Sequence, residues 1–323
     1  MTNTSPMPAS TAAQFAALTY CPDPVSSVPD NVPGWRIVWN GQETEDGNYA
    51  FIAANPASSQ FVLAIRGSLP VMDAWKSWDD FANWVLEDFD IITRANWPYS
   101  NTSGALISSG MSRAFDNLVN MTDTLGSGLN IINYLVQHAA KSNAPIVITG
   151  HSLGGAMVNV FGSFFNWWLT DIGYGNCNSN NFIFTFAAPG AGNGIFATDV
   201  DSKYPGNQSF HYDIDNDIIP KLPIFLPMTL LAALYIPSPS AYEISVIYDG
   251  YTLRLADAIV GMGVTLAPYG YQNTANNYTM LTYALSGDYS ANTIEDWFSE
   301  ASYQHTCGHY VAAVGGSQIS CIP

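Results

Sequence analysis

The sequence predicts one α/β domain built on a mostly parallel sheet with helices on both faces. Three observations predict it. Strand-type and helix-type patterns alternate along the chain, the order from which parallel sheets are built. The run Pro145-Ile-Val-Ile-Thr149 is short and β-branched, as in a strand buried on both faces. The chain has 323 residues, 48% hydrophobic and only 11% charged, enough to bury a large core.

Residues 1–34 are rich in Pro, Ser and Thr around one apolar patch, Phe15 to Tyr20, and read as a segment wrapped on the outside with no chemistry of its own. Strand-type runs follow at Trp35 to Trp39, Tyr49 to Ala53 and Gln60 to Ile65. A polar, Gly-containing stretch between the first two reads as a hairpin connection. From Val71 to Leu86 the apolar positions Val71, Trp75, Trp78, Phe81, Trp84 and Val85 recur mostly at three- and four-residue steps, the spacing of an amphipathic helix. A longer helical region spans Gly110 to Ala140, broken by Gly126 and Gly128. Beyond the strand at 145–149, Gly155 to Leu169 is apolar nearly all round, as expected of a helix buried against that strand. Phe182 to Ala187 and Ser209 to Ile214 read as two more strands. No repeat or linker marks a second domain, so 1–323 reads as one domain with an insertion around 221–300.

Nine Lys and Arg stand against 26 Asp and Glu, a net charge of −17 that repels phosphate backbones and anionic membranes and excludes nucleic acid as a partner. The longest mostly apolar run, Leu222 to Ile236, is 15 residues long and contains Pro223 and Pro227, too short and broken for a transmembrane segment. Residues 1–18 lack the basic start, apolar core and cleavage site of a signal peptide, so the chain reads as cytoplasmic or already mature. Cys21, Cys177, Cys307 and Cys321 show no metal spacing; their even number permits two disulfides in a secreted protein, with free buried thiols as the alternative. Sequons at Asn3, Asn101, Asn120, Asn207 and Asn277 suit an extracellular glycoprotein, although such triplets also arise by chance. The balance leans towards secretion.

Between the strand at 145–149 and the helix that follows lies Gly150-His151-Ser152-Leu153-Gly154, a G-x-S-x-G pattern in its expected strand–turn–helix context. The turn is so tight that side chains two positions either side of the serine would collide, so glycine fills both places. Ser152 then stands at a helix N-terminus, where an anionic intermediate is favoured. A serine hydroxyl needs a base to take its proton and an acid to orient that base. With the chain order Ser, acid, His, the base follows residue 152, which removes His138 and His151. His211 lies mid-strand with little sequence before it for an intervening acid, leaving His305 and His309.

These residues resemble the class 3 lipases, the filamentous-fungal type of triacylglycerol lipase with bacterial and plant relatives. Ile148-Thr-Gly-His-Ser-Leu-Gly-Gly-Ala156 is similar to the family's nucleophile elbow, and Phe186-Ala-Ala-Pro-Gly-Ala-Gly-Asn193 to the strand and loop after it. Asn216-Asp217-Ile-Ile-Pro220 resembles the acid motif. The resemblance therefore implies an α/β-hydrolase fold with Ser152 as nucleophile and Asp217 as acid, in preference to Asp213 and Asp215, which sit in or beside a strand pattern and read as a solvated face. His305-Thr-Cys-Gly-His-Tyr310 is similar to the family's His followed, five positions on, by a tyrosine; this favours His305, with His309 as its rival. Arg66-Gly67-Ser68 looks like the oxyanion loop, implying oxyanion donors at Ser68 and Leu153, while Arg66 reads as a buried structural cation paired with a carboxylate. The helix at 71–86 lies where the family carries its lid, with Trp75, Trp78, Phe81 and Trp84 as its stripe; a fixed core helix is the equal alternative. Ile107-Ser-Ser-Gly-Met111 departs from the His and Phe usual in the family. The interval from Asp217 to His305, 88 positions, exceeds that of compact members, and Pro223 to Ile236 is expected to wall an acyl pocket.

The resemblance implies hydrolysis of acylglycerol esters at an oil–water interface, with no metal or cofactor. A soluble-ester hydrolase such as a feruloyl esterase is the nearest rival. A catalytically idle lipase-like binding protein is the rival of another class, and a peptidase using the same triad is a third.

Overall fold

The computed structural model describes residues 5–68, 75–248 and 250–321. Two helices, α1 (Ala9–Leu18) and α2 (Pro24–Asn31), precede strands β1 (Arg36–Asn40), β2 (Ala50–Ala54) and β3 (Phe61–Ile65). Next come α3 (Trp78–Asn83), β4 (Arg94–Asn96), β5 (Leu106–Ser108), α4 (Ser109–Asn120) and α5 (Ile131–His138). The central section consists of β6 (Ile146–His151), α6 (Leu153–Asp171), β7 (Asn181–Phe186), β8 (Gly192–Asn193), α7 (Gly194–Lys203) and β9 (Ser209–Ile214). The last third carries α8 (Phe225–Leu230), β10 (Ser245–Tyr248), β11 (Tyr251–Arg254), α9 (Leu255–Leu266), β12 (Tyr271–Gln272), β13 (Tyr278–Leu281), α10 (Ile294–His305) and α11 (Cys307–Ala313).

Seven strands form one sheet in the order β1-β2-β3-β6-β7-β9-β13. β1, β2 and β3 pair antiparallel; from β3 onwards every pairing is parallel. β3, β6 and β7 are buried along their whole length, which is why their sequences are apolar without alternation. The parallel strands bring their carboxyl ends to one edge, where open α/β sheets bind ligands. Helices α4 to α7 cover one face of the sheet, in the larger core. The region from Gly110 to Ala140 is two helices, parted at Gly126 and Gly128, both with positive φ.

The other face is covered by α1 and α11, in a second core that contains Phe15, Leu18, Tyr310 and Val311. Residues 5–34 are thus partly interior: Ala12, Ala13, Phe15, Ala16, Ala17 and Leu18 are buried. The physical reason is the alanine content of α1, whose small side chains let its backbone lie close against β6. Cys21, just after α1, is disulfide-bonded to Cys321 across 300 residues of sequence. Cys177 and Cys307 are free and buried in different cores, on opposite faces of the sheet, so one bridge exists where the count permitted two.

Of the helix expected at 71–86, the described part is α3 from Trp78. Residues 71–74 lie outside the described residues; Ser77 caps α3 by accepting from the Asp80 N–H, and the chain continues as a π-helical turn over Trp84–Asp88. Trp75, Trp78, Phe81 and Trp84 are all buried, and Trp75 and Phe81 pack at tilted angles against Phe298 of α10.

Candidate active site

β6 runs into α6 through Ser152, whose backbone takes φ 59° and ψ −132°. A non-glycine residue there stores strain of about 1–3 kcal/mol and persists only where its surroundings dictate it. They do. A Cβ on Gly150 would lie 2.5 Å from the backbone carbon of Gly154, and one on Gly154 would lie 2.8 Å from Arg66 C and Gly67 N. The Ser152 N–H donates to Phe186 O at 2.8 Å, locking the turn to the neighbouring strand.

β9 ends at Ile214, and the turn beyond it buries Asp217 completely. α10 delivers His305 as its final residue. His305 Nε2 is 2.8 Å from Ser152 Oγ and its Nδ1 is 2.7 Å from Asp217 Oδ2. Asp217 also accepts from Tyr310 Oη at 2.7 Å and from the Ile219 N–H at 2.9 Å, so each carboxylate oxygen is engaged. Tyr310 in turn accepts from the Ile214 N–H at 3.0 Å, which ties the acid to the strand that carries it. The rival His309 is turned away: its ring lies 4.3 Å from those of Tyr283 and Tyr303, and its Nδ1 is 2.7 Å from Tyr303 O.

Three further groups, Asp213, Asp215 and His151, lie near these residues in the fold. Asp213, expected on a solvated face, is buried, because the Ser209, His211 and Asp213 side of β9 is its inner side and Phe210 and Tyr212 are on the outer. Burial, then the charge of Asp217, pushes the Asp213 carboxyl well above the usual carboxylate range. Asp215 likewise differs from a solvated group: one of its carboxylate oxygens is buried. The His151 ring lies 4.6 Å from that of His305, and burial together with His305 lowers its proton affinity well below an ordinary imidazole's. His151 therefore stays neutral beside His305.

β3 ends at Ile65 beside the elbow, and Arg66-Gly67-Ser68 continues from it. Arg66 is paired with Glu43, donates to Gly47 O at 2.7 Å and lies 5.1 Å from the Tyr49 ring centre. Gly67 leaves no room: a Cβ would be 2.5 Å from Tyr20 Oη and 2.7 Å from His151 O. Ser68 and Leu153 line a cleft of about 580 Å³ together with Trp84, Phe89, Met111 and Met157. Residues 223–236, expected to wall an acyl pocket, contribute none of its lining; α8 turns outwards and leaves Phe225, Leu226 and Leu230 exposed.

Tyr20 is a contact that the sequence did not disclose. Its hydroxyl is 3.3 Å from His151 Nδ1, donates to His151 O at 3.4 Å and accepts from the Gly67 N–H at 3.2 Å. The only signal was an aromatic with a polar tip closing an apolar patch, next to Cys21.

Ser163, Asp199 and His211 lie in other networks. Ser163 Oγ donates to Asp199 and accepts from Trp97 Nε1 and Lys203, a closed buried cluster, while His211 bonds to Thr185, Ser209 and Thr274. Among the described residues no group of three or more His, Cys, Asp or Glu is arranged to hold a metal ion, and no helix is long and apolar enough to cross a membrane.

A strained serine between strand and helix, at the carboxyl edge of a mostly parallel sheet, defines the α/β-hydrolase fold. Residues 62–226 match the family described as lipase (class 3), and the chain belongs to that family. It is a carboxylic ester hydrolase of the lipase type. Among solved structures, M37 lipase superposes with a TM-score of 0.71 at 20% identity, over 93% of this chain and 90% of that one, a likeness of fold. Lip2 lipase from Yarrowia lipolytica gives a TM-score of 0.49 at 20% identity, over 67% and 75% of the two chains. No curated protein sequence matches the chain.

Proposed function

We propose that the chain is a triacylglycerol lipase in which Ser152, His305 and Asp217 form the triad and the backbone N–H groups of Ser68 and Leu153 bind the oxyanion. The observation that carries the triad is the unbroken hydrogen-bond path from Ser152 Oγ through His305 to Asp217. Ser152 Oγ bonds to the ester carbonyl carbon as His305 Nε2 takes its proton, and the carbonyl oxygen becomes the oxyanion. On collapse the C–O bond to the alcohol breaks and His305 returns the proton to the leaving alcohol. Water, deprotonated by the same nitrogen, then bonds to the acyl carbon; the bond to Ser152 Oγ breaks, His305 returns the proton to Ser152, and the acid leaves. Asp217 keeps Nδ1–H of His305 directed away from Ser152 and stabilises the imidazolium.

One side of the cleft, formed by Trp84, Phe89, Met111, Leu118 and Met157, is apolar and the other is polar, with Asp46, Asn48 and Arg113; the apolar side and the chain's charge of −17 suit the acyl part of a neutral acylglycerol. The Cys21–Cys321 disulfide and the exposed sequon asparagines 101, 120, 207 and 277 support an extracellular site of action; the sequon at Asn3 lies outside the described residues. A soluble-ester hydrolase is the second reading, favoured by the packing of Trp75 and Phe81 against Phe298 of α10, which suits a fixed helix.

Rates on esters of increasing acyl length, below and above their solubility, decide between the two. A lipase gains activity on emulsified long chains; a rate that saturates in the soluble range and declines with chain length overturns the lipase reading. A fluorophosphonate should label the wild type and not Ser152→Ala, and an unlabelled wild type would sink the triad.

A further inference from the structure

Ten of the sixteen large hydrophobic side chains that stand exposed among the described residues fall between Phe225 and Val264. The most open are Leu226 at 65%, Ile247 at 66% and Tyr251 at 70% exposure. Eight of the ten belong to three units packed side by side, α8, the β10–β11 hairpin and α9. α8 lies close against α9 at Gly263, where a Cβ would be 3.4 Å from Thr229 Cγ2 and 3.5 Å from Met228 Cβ. The β10–β11 hairpin packs on α9 and sets Tyr248 opposite Tyr251. The inner faces of these elements are filled by Met228, Val246, Ile259 and Met262, so the outer side chains are a second apolar surface with no partner among the described residues. Val260 and Val264, one turn apart on α9, continue it.

We propose that α8, α9 and the β10–β11 hairpin form a docking face that seats the protein on an uncharged lipid–water surface; this rests on the acylglycerol reading above. Charge selects that occupant. Residues 222–266 carry only Glu243, Asp249, Arg254 and Asp257, and Arg254 and Asp257 neutralise each other at 2.9 Å. A net charge of −17 opposes both an anionic membrane and a second copy of the chain, whereas a neutral lipid surface carries no charge to repel it.

Position also selects it. α8 follows the turn that buries Asp217, and α3, the aromatic helix beyond Ser68, packs against β10. The face therefore borders the edge of the sheet where Ser152 stands. The four aromatics of the expected lid are buried, and among the described residues most of the exposed large apolar side chains belong to the insertion instead.

The test combines Leu226→Ser, Leu230→Ser, Ile247→Ser and Tyr251→Ser. Binding is read by co-flotation with phosphatidylcholine-coated triolein droplets, in a Ser152→Ala background so that droplets stay intact. With Ser152 present, the same four substitutions are assayed on a water-soluble short-chain p-nitrophenyl ester. The docking face predicts droplet affinity lowered about 10-fold or more, soluble-ester kcat/KM within about twofold of wild type, and weaker wild-type binding when phosphatidylglycerol replaces phosphatidylcholine.

Unchanged flotation of the fourfold variant overturns the proposal. So does a wild-type dimer, seen by sedimentation velocity, that the variant loses. Droplets that wild type binds but does not hydrolyse overturn the acylglycerol reading and leave the docking face standing. Droplets that wild type and variant bind and hydrolyse alike do the reverse.

Discussion

Tyr20 reaches the site from a segment that precedes the first strand, and its hydroxyl serves as acceptor for the Gly67 N–H and neighbour to His151. Removing that hydroxyl leaves Gly67 without its partner and loosens the loop that presents Ser68. Tyr20→Phe is expected to lower kcat about 10-fold with KM nearly unchanged, and to weaken a trifluoromethyl ketone inhibitor in parallel, since a hydrogen bond of this kind is worth about 1–1.5 kcal/mol. Equal losses of kcat and folding stability without the inhibitor effect would refute a positioning role. The two C-terminal histidines separate more sharply. His305→Ala should reduce kcat about 10⁴-fold or more, because the nucleophile loses its base. His309→Ala should cost only the packing between Tyr283 and Tyr303, leaving kcat within a few-fold.

At the scale of elements, the elbow is rigid because two helix–strand units meet without side chains between them. Gly154→Ala should fail to fold rather than lose activity in a folded state, since its methyl has only the backbone of Ile65, Arg66 and Gly67 to enter. α1 depends on a different restraint. The Cys21–Cys321 bridge fastens it to the C-terminal segment that follows α11, and the paired change Cys21→Ser with Cys321→Ser should lower stability by about 2–5 kcal/mol, read as the denaturant midpoint. A midpoint that does not move would mean that the second core holds α1 unaided. Phe81 of α3 and Trp75 just before it pack on Phe298 of α10, so the helix that ends in His305 rests on the aromatic segment beside the site.

For the whole molecule, acid is the vulnerable direction. Burial lowers the His211 pKa from 6.5 to about 3, so between those values the unfolded chain binds a proton that the folded chain refuses. Stability is therefore greatest above pH 6.5 from this source and falls as the pH drops towards 3, by up to about 1.4 kcal/mol per pH unit. His211→Gln should flatten the decline in melting temperature between pH 6 and 4; an unchanged slope would show that other groups set it. His151, buried and similarly reluctant to charge, adds in the same direction.

The sequence by itself determined whatever depends on neighbours along the chain. Alternating strand and helix patterns foretold the parallel sheet, because burial on both faces needs a continuous apolar run. Ser152 with Gly150 and Gly154 was legible because a tight turn imposes its steric demands on five consecutive residues. The family resemblance extended this to Asp217 and Ser68 by motif. Tertiary structure decided what depends on residues far apart. It placed His305, not His309, within 2.8 Å of Ser152, since that choice rests on how α10 packs. It joined Cys21 to Cys321, put Cys177 and Cys307 on opposite faces of the sheet, and turned Asp213 inwards. It buried the aromatic stripe and exposed the insertion. An apolar pattern declares which side chains can be buried, and only the assembled fold determines which of them have something to be buried against.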